Sequence, residues 1–129
     1  MKISSYFIFL LLIAMSSTGC EKENLGGIDA FLVYFPNIIL PNNQENNLFY
    51  PKILSNNPDA EFTAEIMEIF DRYGNPVYKS EQFPTNDPTY GWDGTVEGDL
   101  VEAGNYSYSI RITDGTGTAL YVGDFSVIR

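Results

Sequence analysis

Ile69-Phe70-Asp71-Arg72-Tyr73-Gly74-Asn75-Pro76-Val77-Tyr78, with the later Tyr90-Gly91-Trp92-Asp93-Gly94-Thr95, is the stretch on which the fold is decided. Its first part reads as a strand, a tight turn on Gly74-Asn75-Pro76 and a short return strand, since these residue types supply turn geometry between apolar runs. Its second part sets the only Trp of the chain before an Asp-Gly turn. A lone Trp in that position is expected in the core; a ligand platform is the alternative. Arg72 is expected to stack on Tyr73 or Tyr78 at the end of the strand; recognition of a partner by Asp71 and Arg72 is the alternative.

The flanking sequence continues the same pattern. Tyr106, Tyr108, Ile110 and Ile112 alternate with Ser107, Ser109, Arg111 and Thr113, as in a strand with one buried and one wet face. After the Asp114-Gly115-Thr116-Gly117 turn, Tyr121, Gly123, Phe125 and Val127 share one face of a last strand. Gly123 inside that strand implies a large neighbouring side chain, for which Trp92 is the candidate. Further strands are expected at Phe31–Phe35, at Ile38–Leu40 between two prolines, and at Leu48–Leu54, where Pro51 favours an edge. Phe62, Ala64 and Ile66 fall out of phase with Met67 and Ile69, which places a bulge or face switch near Ile66-Met67. Gln82 to Thr89 and Glu97 to Gly104 read as loops. Short strands between Gly, Pro, Asn and Asp turns, without a helical period, predict an all-β, immunoglobulin-like antiparallel sandwich of about seven strands.

The N-terminal end carries different information. Lys2, the apolar run Tyr6–Met15 and the small residues Ser16-Ser17-Thr18-Gly19 form a secretory leader over residues 1–19. Its apolar run is too short for a spanning helix, which needs about 20 residues. Cys20, the only Cys, stands where a lipobox places the acylated residue, so lipidation there is expected. Residues 20–29 are a polar tether, and residues 30–129 form the domain. Without Lys2, 6 Lys and Arg face 17 Asp and Glu, a net charge of −11. That balance argues against nucleic acid and against electrostatic docking on anionic lipid. The chain has no His. This removes Ser-His and Cys-His nucleophile activation and His-ligated zinc. No catalytic residue, metal site or cofactor is expected. Asp87, Asp93, Asp99 and Asp114 lie in or near turns, where Asp caps backbone.

Several motifs, taken in order, resemble one family. Phe35-Pro36-Asn37-Ile38-Ile39-Leu40-Pro41-Asn42, Ile69 to Asn75, Gly91 to Thr95, Ala103-Gly104-Asn105-Tyr106-Ser107-Tyr108, Thr113-Asp114-Gly115 and Tyr121 to Arg129 are similar to the gliding-motility-associated C-terminal domain. That domain is also called the type B sorting domain of the type IX secretion system. The resemblance implies an immunoglobulin-like sandwich and marks Asp71, Arg72, Tyr73, Gly74, Asn75, Gly91, Trp92, Asp93 and Gly94 as family-motif residues. Separately, Cys20-Glu21-Lys22-Glu23 resembles the signal, a Lys and an acidic residue just after the lipidated Cys, that sends lipoproteins of gliding-type Gram-negative bacteria to the cell surface. Glu21, Lys22 and Glu23 are therefore expected to act as a surface-export signal. In the family an acidic, Gly-rich loop follows the first Pro-Asn; here Asn43-Gln44-Glu45-Asn46-Asn47 stands in its place. With a lipoprotein leader and no cargo, the expected role is a non-enzymatic, lipid-anchored protein of the outer membrane, facing the cell surface. Its expected partners are outer-membrane secretion or gliding proteins, met through an exposed sheet edge or the Asn42–Asn47 and Gln82–Thr89 loops. The competing reading is a carbohydrate-binding surface module on the same sandwich.

Overall fold

The computed structural model describes residues 30–129. Among these residues nine strands form in chain order: β1 (Phe31–Tyr34), β2 (Ile38–Ile39), β3 (Lys52–Ser55), β4 (Thr63–Phe70), β5 (Pro76–Pro84), β6 (Thr95–Val96), β7 (Asp99–Leu100), β8 (Gly104–Thr113) and β9 (Thr118–Val127). Pro88–Tyr90 makes a single 3-10 turn, capped by the Asp87 side chain on the Thr89 N–H. Five strands make the main sheet in the order β2-β9-β8-β4-β5. The facing layer holds the β1-β3 pair, an isolated bridge between Phe49 and Trp92, and the small β6-β7 hairpin. The domain is an all-β, immunoglobulin-like sandwich. Its sheets are antiparallel except where β2 joins β9 in parallel.

The core follows from the alternation. Tyr106, Ile110 and Ile112 of β8, Ala64, Met67 and Ile69 of β4, and Phe125 and Val127 of β9 point inward and are buried. From the facing layer come Phe49, Ile53 and Trp92, also buried. Phe49 stacks on Phe125 with ring centroids 4.1 Å apart, and Trp92 meets Phe125 edge-on at 6.1 Å. Each large apolar side chain buried in this way contributes about 1.5–3 kcal/mol. The broken phase in β4 is a bulge: its register with β8 shifts between Ala64 and Ile66, so Ala64 and Met67 both reach the core.

Three expectations change. The return strand after Gly74-Asn75 is long, and Gln82, Phe83 and Pro84 belong to β5. Phe83 pairs with Ala64 and is buried, while Pro84 sits at the end of an edge strand, where a missing N–H is tolerated. Second, the stretch after Gly94 contains the β6-β7 hairpin, turned by Glu97 at φ 53° and Gly98 at φ 89°. Positive φ at both central residues matches the twist of hairpin strands. Third, the neighbour of Gly123 is Tyr108, not Trp92. The two residues pair across β8 and β9, and a Cβ on Gly123 would lie 2.5 Å from the Tyr108 hydroxyl. The tyrosine ring occupies the space the glycine leaves.

Asn86, at φ 66°, ties the two layers together. Its Oδ1 accepts from the Ile53 N–H at 2.7 Å and its Nδ2 donates to the Ile53 carbonyl at 3.0 Å. Its own N–H donates to the Pro51 carbonyl at 3.1 Å. The side-chain amide thus acts as a one-residue strand on the edge of β3. Asn86→Ala is expected to cost about 1–3 kcal/mol, because it leaves both Ile53 backbone groups without their partner. A urea midpoint measured for the variant checks this, and an unchanged midpoint contradicts it.

Candidate functional site

The Asp71–Asn75 turn joins β4 to β5. Asp71 Oδ1 accepts from the N–H groups of Tyr73 and Asn75, both at 2.9 Å, and the Asp71 N–H donates to the Asn75 carbonyl at 2.9 Å. The Asn75 N–H is the largest influence on the Asp71 carboxyl; with Tyr73, the Asn75 side chain and Arg72 it outweighs desolvation, the second largest, and holds the carboxyl below its ordinary range. Asp114 is lowered in the same way by the N–H groups of Thr116 and Gly117. A folded-state pKa below the unfolded value gives stability that is present above the unfolded pKa and lost as pH falls through the folded one. Stability is therefore expected to drop below the ordinary Asp value of 3.8, and Asp71→Asn should shallow that drop. Denaturant midpoints from neutral pH down to the acid limit check this; an unchanged slope in the variant contradicts it.

Arg72 places its guanidinium 5.1 Å from the centre of the Tyr73 ring and 3.9 Å from Glu102. Both ion-pair partners are largely exposed, so that bridge contributes little. The stacking expected for Arg72 is thus found, on Tyr73. Close by, the Tyr106 hydroxyl donates to the Glu102 carbonyl at 2.7 Å. A tyrosine near the start of a strand that bonds backbone a few residues upstream is the tyrosine corner of immunoglobulin-like sandwiches. Burial, then the Glu102 charge, pushes the Tyr106 phenol up. Turn and corner border an open pocket of about 190 Å³ lined by Asp71, Arg72, Val77, Val101 and Tyr106.

The Gly91–Gly94 motif is structural. Trp92 is 1% exposed, donates its indole N–H to the Thr95 carbonyl at 2.9 Å, and packs on Tyr106 at 5.6 Å. Asp93 Oδ1 accepts from the Thr95 N–H at 3.0 Å and the Thr95 hydroxyl at 2.6 Å. Tyr106, in contact with Trp92 and lining the pocket beside Asp71 and Arg72, brings the two motifs together. Cys20, Glu21, Lys22 and Glu23 lie outside the described residues.

Two surfaces bear on contact with a partner. β5 is an outer strand of the main sheet and, among the described residues, pairs only with β4; Lys79 and Glu81, 3.3 Å apart as an ion pair, are exposed along it. Alternate backbone groups on such a strand face away from its neighbour. The second surface is a groove of about 520 Å³ where the Asn42–Asn47 loop meets Tyr34, Tyr50 and Lys52. The tyrosines of the long strands are elsewhere: Tyr106 is buried, while Tyr108 and Tyr121 pack against Phe35 at 4.8 and 5.7 Å. Tyr34 and Tyr50 escape a sequence reading because a short strand and a loop before Pro51 carry them, outside any alternating run. Gln82–Thr89 is no free loop, being strand, Asn86 clamp and capped 3-10 turn.

A sandwich with a tyrosine corner and a Trp-Asp-Gly turn defines an immunoglobulin-like module. More particularly, the chain belongs to the CHU_C type IX secretion signal domain family, whose match spans residues 33–123. The structure of PorZ from Porphyromonas gingivalis, described as an essential bacterial surface component of the type-IX secretion system, is similar at 22% identity with a TM-score of 0.42. That match covers 84% of this chain and 12% of PorZ. No curated protein matches the sequence.

Proposed function

We propose that this protein is a non-enzymatic, lipid-anchored protein of the outer membrane, exposed at the cell surface, which works by contact with type IX secretion or gliding components. The observation that carries this reading is the family match over residues 33–123, nearly all of the sandwich. The open β5 edge supports it, because strand addition to an exposed edge uses main-chain hydrogen bonds for affinity and alternate side-chain pockets for specificity. The Cys20 position after the leader supports the anchor. A single acyl chain binds a bilayer only marginally, so stable attachment calls for more than one chain on that residue.

Cys20→Ala is expected to release the protein from the membrane fraction and to stop incorporation of labelled fatty acid; retention with undiminished label contradicts the anchor. Protease added to intact cells should digest the wild-type domain, and full protection would place it on the inner leaflet. Affinity purification from detergent-solubilised outer membranes should bring down a type IX component, and its repeated absence counts against the contact.

A further inference from the structure

We infer that the groove beside the Asn42–Asn47 loop is a binding site for a neutral oligosaccharide. It is lined by Tyr34 of β1, Tyr50 ahead of β3, and Asn37, Gln44, Asn46 and Asn47. Its volume of about 520 Å³ lies within the range of roughly 300–1,000 Å³ usual for small-ligand sites.

Three properties select the ligand class. First, the side-chain amides of Asn37, Gln44, Asn46 and Asn47 make no hydrogen bond to the described residues. Each amide offers an NH₂ donor and a carbonyl acceptor, the pairing that vicinal hydroxyls require. Second, Tyr34 is 48% exposed and its ring meets no other ring among the described residues, which leaves a flat apolar face for the C–H side of a sugar. Tyr50 is held instead, with its Cδ1 3.2 Å from where a Gly91 Cβ would stand and the Lys52 ammonium 5.3 Å from its ring centre. Third, the lining carries one cation, Lys52, and one carboxylate, Glu45. On a chain with net charge −10, that balance does not favour a polyanion.

An extended peptide fits less well. The loop closes its own backbone, with the Leu40 N–H on the Asn46 carbonyl at 2.6 Å and the Asn43 N–H on the Leu40 carbonyl at 2.9 Å. A peptide that recognises main chain needs an open ladder, and β5 provides one elsewhere on the domain. Sugar binding at the groove is independent of the secretion reading.

The test is an array of neutral and anionic oligosaccharides probed with the full chain purified in detergent, followed by titration calorimetry with the best neutral binder. Neutral glycans should bind, and Tyr34→Ala should weaken them by about tenfold or more, through loss of the stacking face, at an unchanged melting temperature. Gln44→Ala, in the exposed loop, should weaken the same glycans and provides a second reading should Tyr34→Ala disturb folding. Absence of neutral binders, binding of anionic glycans alone, or affinity indifferent to both substitutions overturns the site.

Discussion

Replacement of Trp92 by Ala is expected to cost about 3–5 kcal/mol, the loss usual for a large aromatic taken from a packed core. The side chain lies against Tyr106, Phe125 and Tyr78, at 5.6, 6.1 and 6.5 Å between ring centres. It also anchors the bridge in which Phe49 and Trp92 exchange both backbone hydrogen bonds at 2.9 Å. A cavity there loosens the facing layer, which has few strand hydrogen bonds of its own. For a domain of this size the loss corresponds to a fall in melting temperature of roughly 15–30 °C. Trp92→Phe keeps a ring but strips the Thr95 carbonyl of its indole donor, so an intermediate loss is expected. A Trp92→Ala variant that melts with the wild type would show that the indole is not the centre of the core.

Gly94→Ala should come next in size. Gly94 is buried at φ 81°, and a Cβ there would stand 2.7 Å from Cγ of Pro41, a ring carbon that cannot swing aside. The left-handed backbone costs a non-glycine residue about 1–2 kcal/mol, and overpacking adds about 1–3 kcal/mol. Gly74, at φ 86°, has nothing within 4 Å of a Cβ, so Gly74→Ala isolates the backbone part. Gly94→Ala measured beside Pro41→Ala and the double variant separates the remainder as a coupling energy. Equal losses at Gly74 and Gly94 would mean that Pro41 yields without cost. The contact gives a physical reason for the company of two motifs: the Pro41-Asn42 segment closes over the Trp-Asp-Gly turn.

The elements that could be read from sequence are those with one buried face and one wet face. Tyr106 to Ile112 and Tyr121 to Val127 follow period 2, and both face inward as their alternation implies. Arg72 on Tyr73 and the caps of Asp87, Asp93 and Asp114 were legible because they act within a few residues. The partner of Gly123 required register. Thr113 pairs with Thr118 across the Asp114–Gly117 turn, and counting outward from that pair sets Tyr108 against Gly123. Trp92, a larger side chain, lies in the other layer. The Asn86 clamp joins positions 33 residues apart, and no local pattern signals it. The groove is equally non-local: its aromatic residues and its amides come from segments separated by Pro36, Pro41 and Pro51, which interrupt every period the eye could follow. The β6-β7 hairpin carries a weak local signal, since Glu97-Gly98 lacks the Asn or Asp that usually marks such a turn.

Contact with the type IX machinery is tested most directly by site-specific photocrosslinking in living cells. A photoreactive residue in place of Lys79, exposed on the open β5 edge, should form an adduct with an outer-membrane component of that system. The same residue in place of Glu97, exposed on the β6-β7 turn, should not. Adducts from Lys79 that contain only proteins outside the secretion and gliding systems, or identical adducts from both positions, would contradict a contact made through the sheet edge.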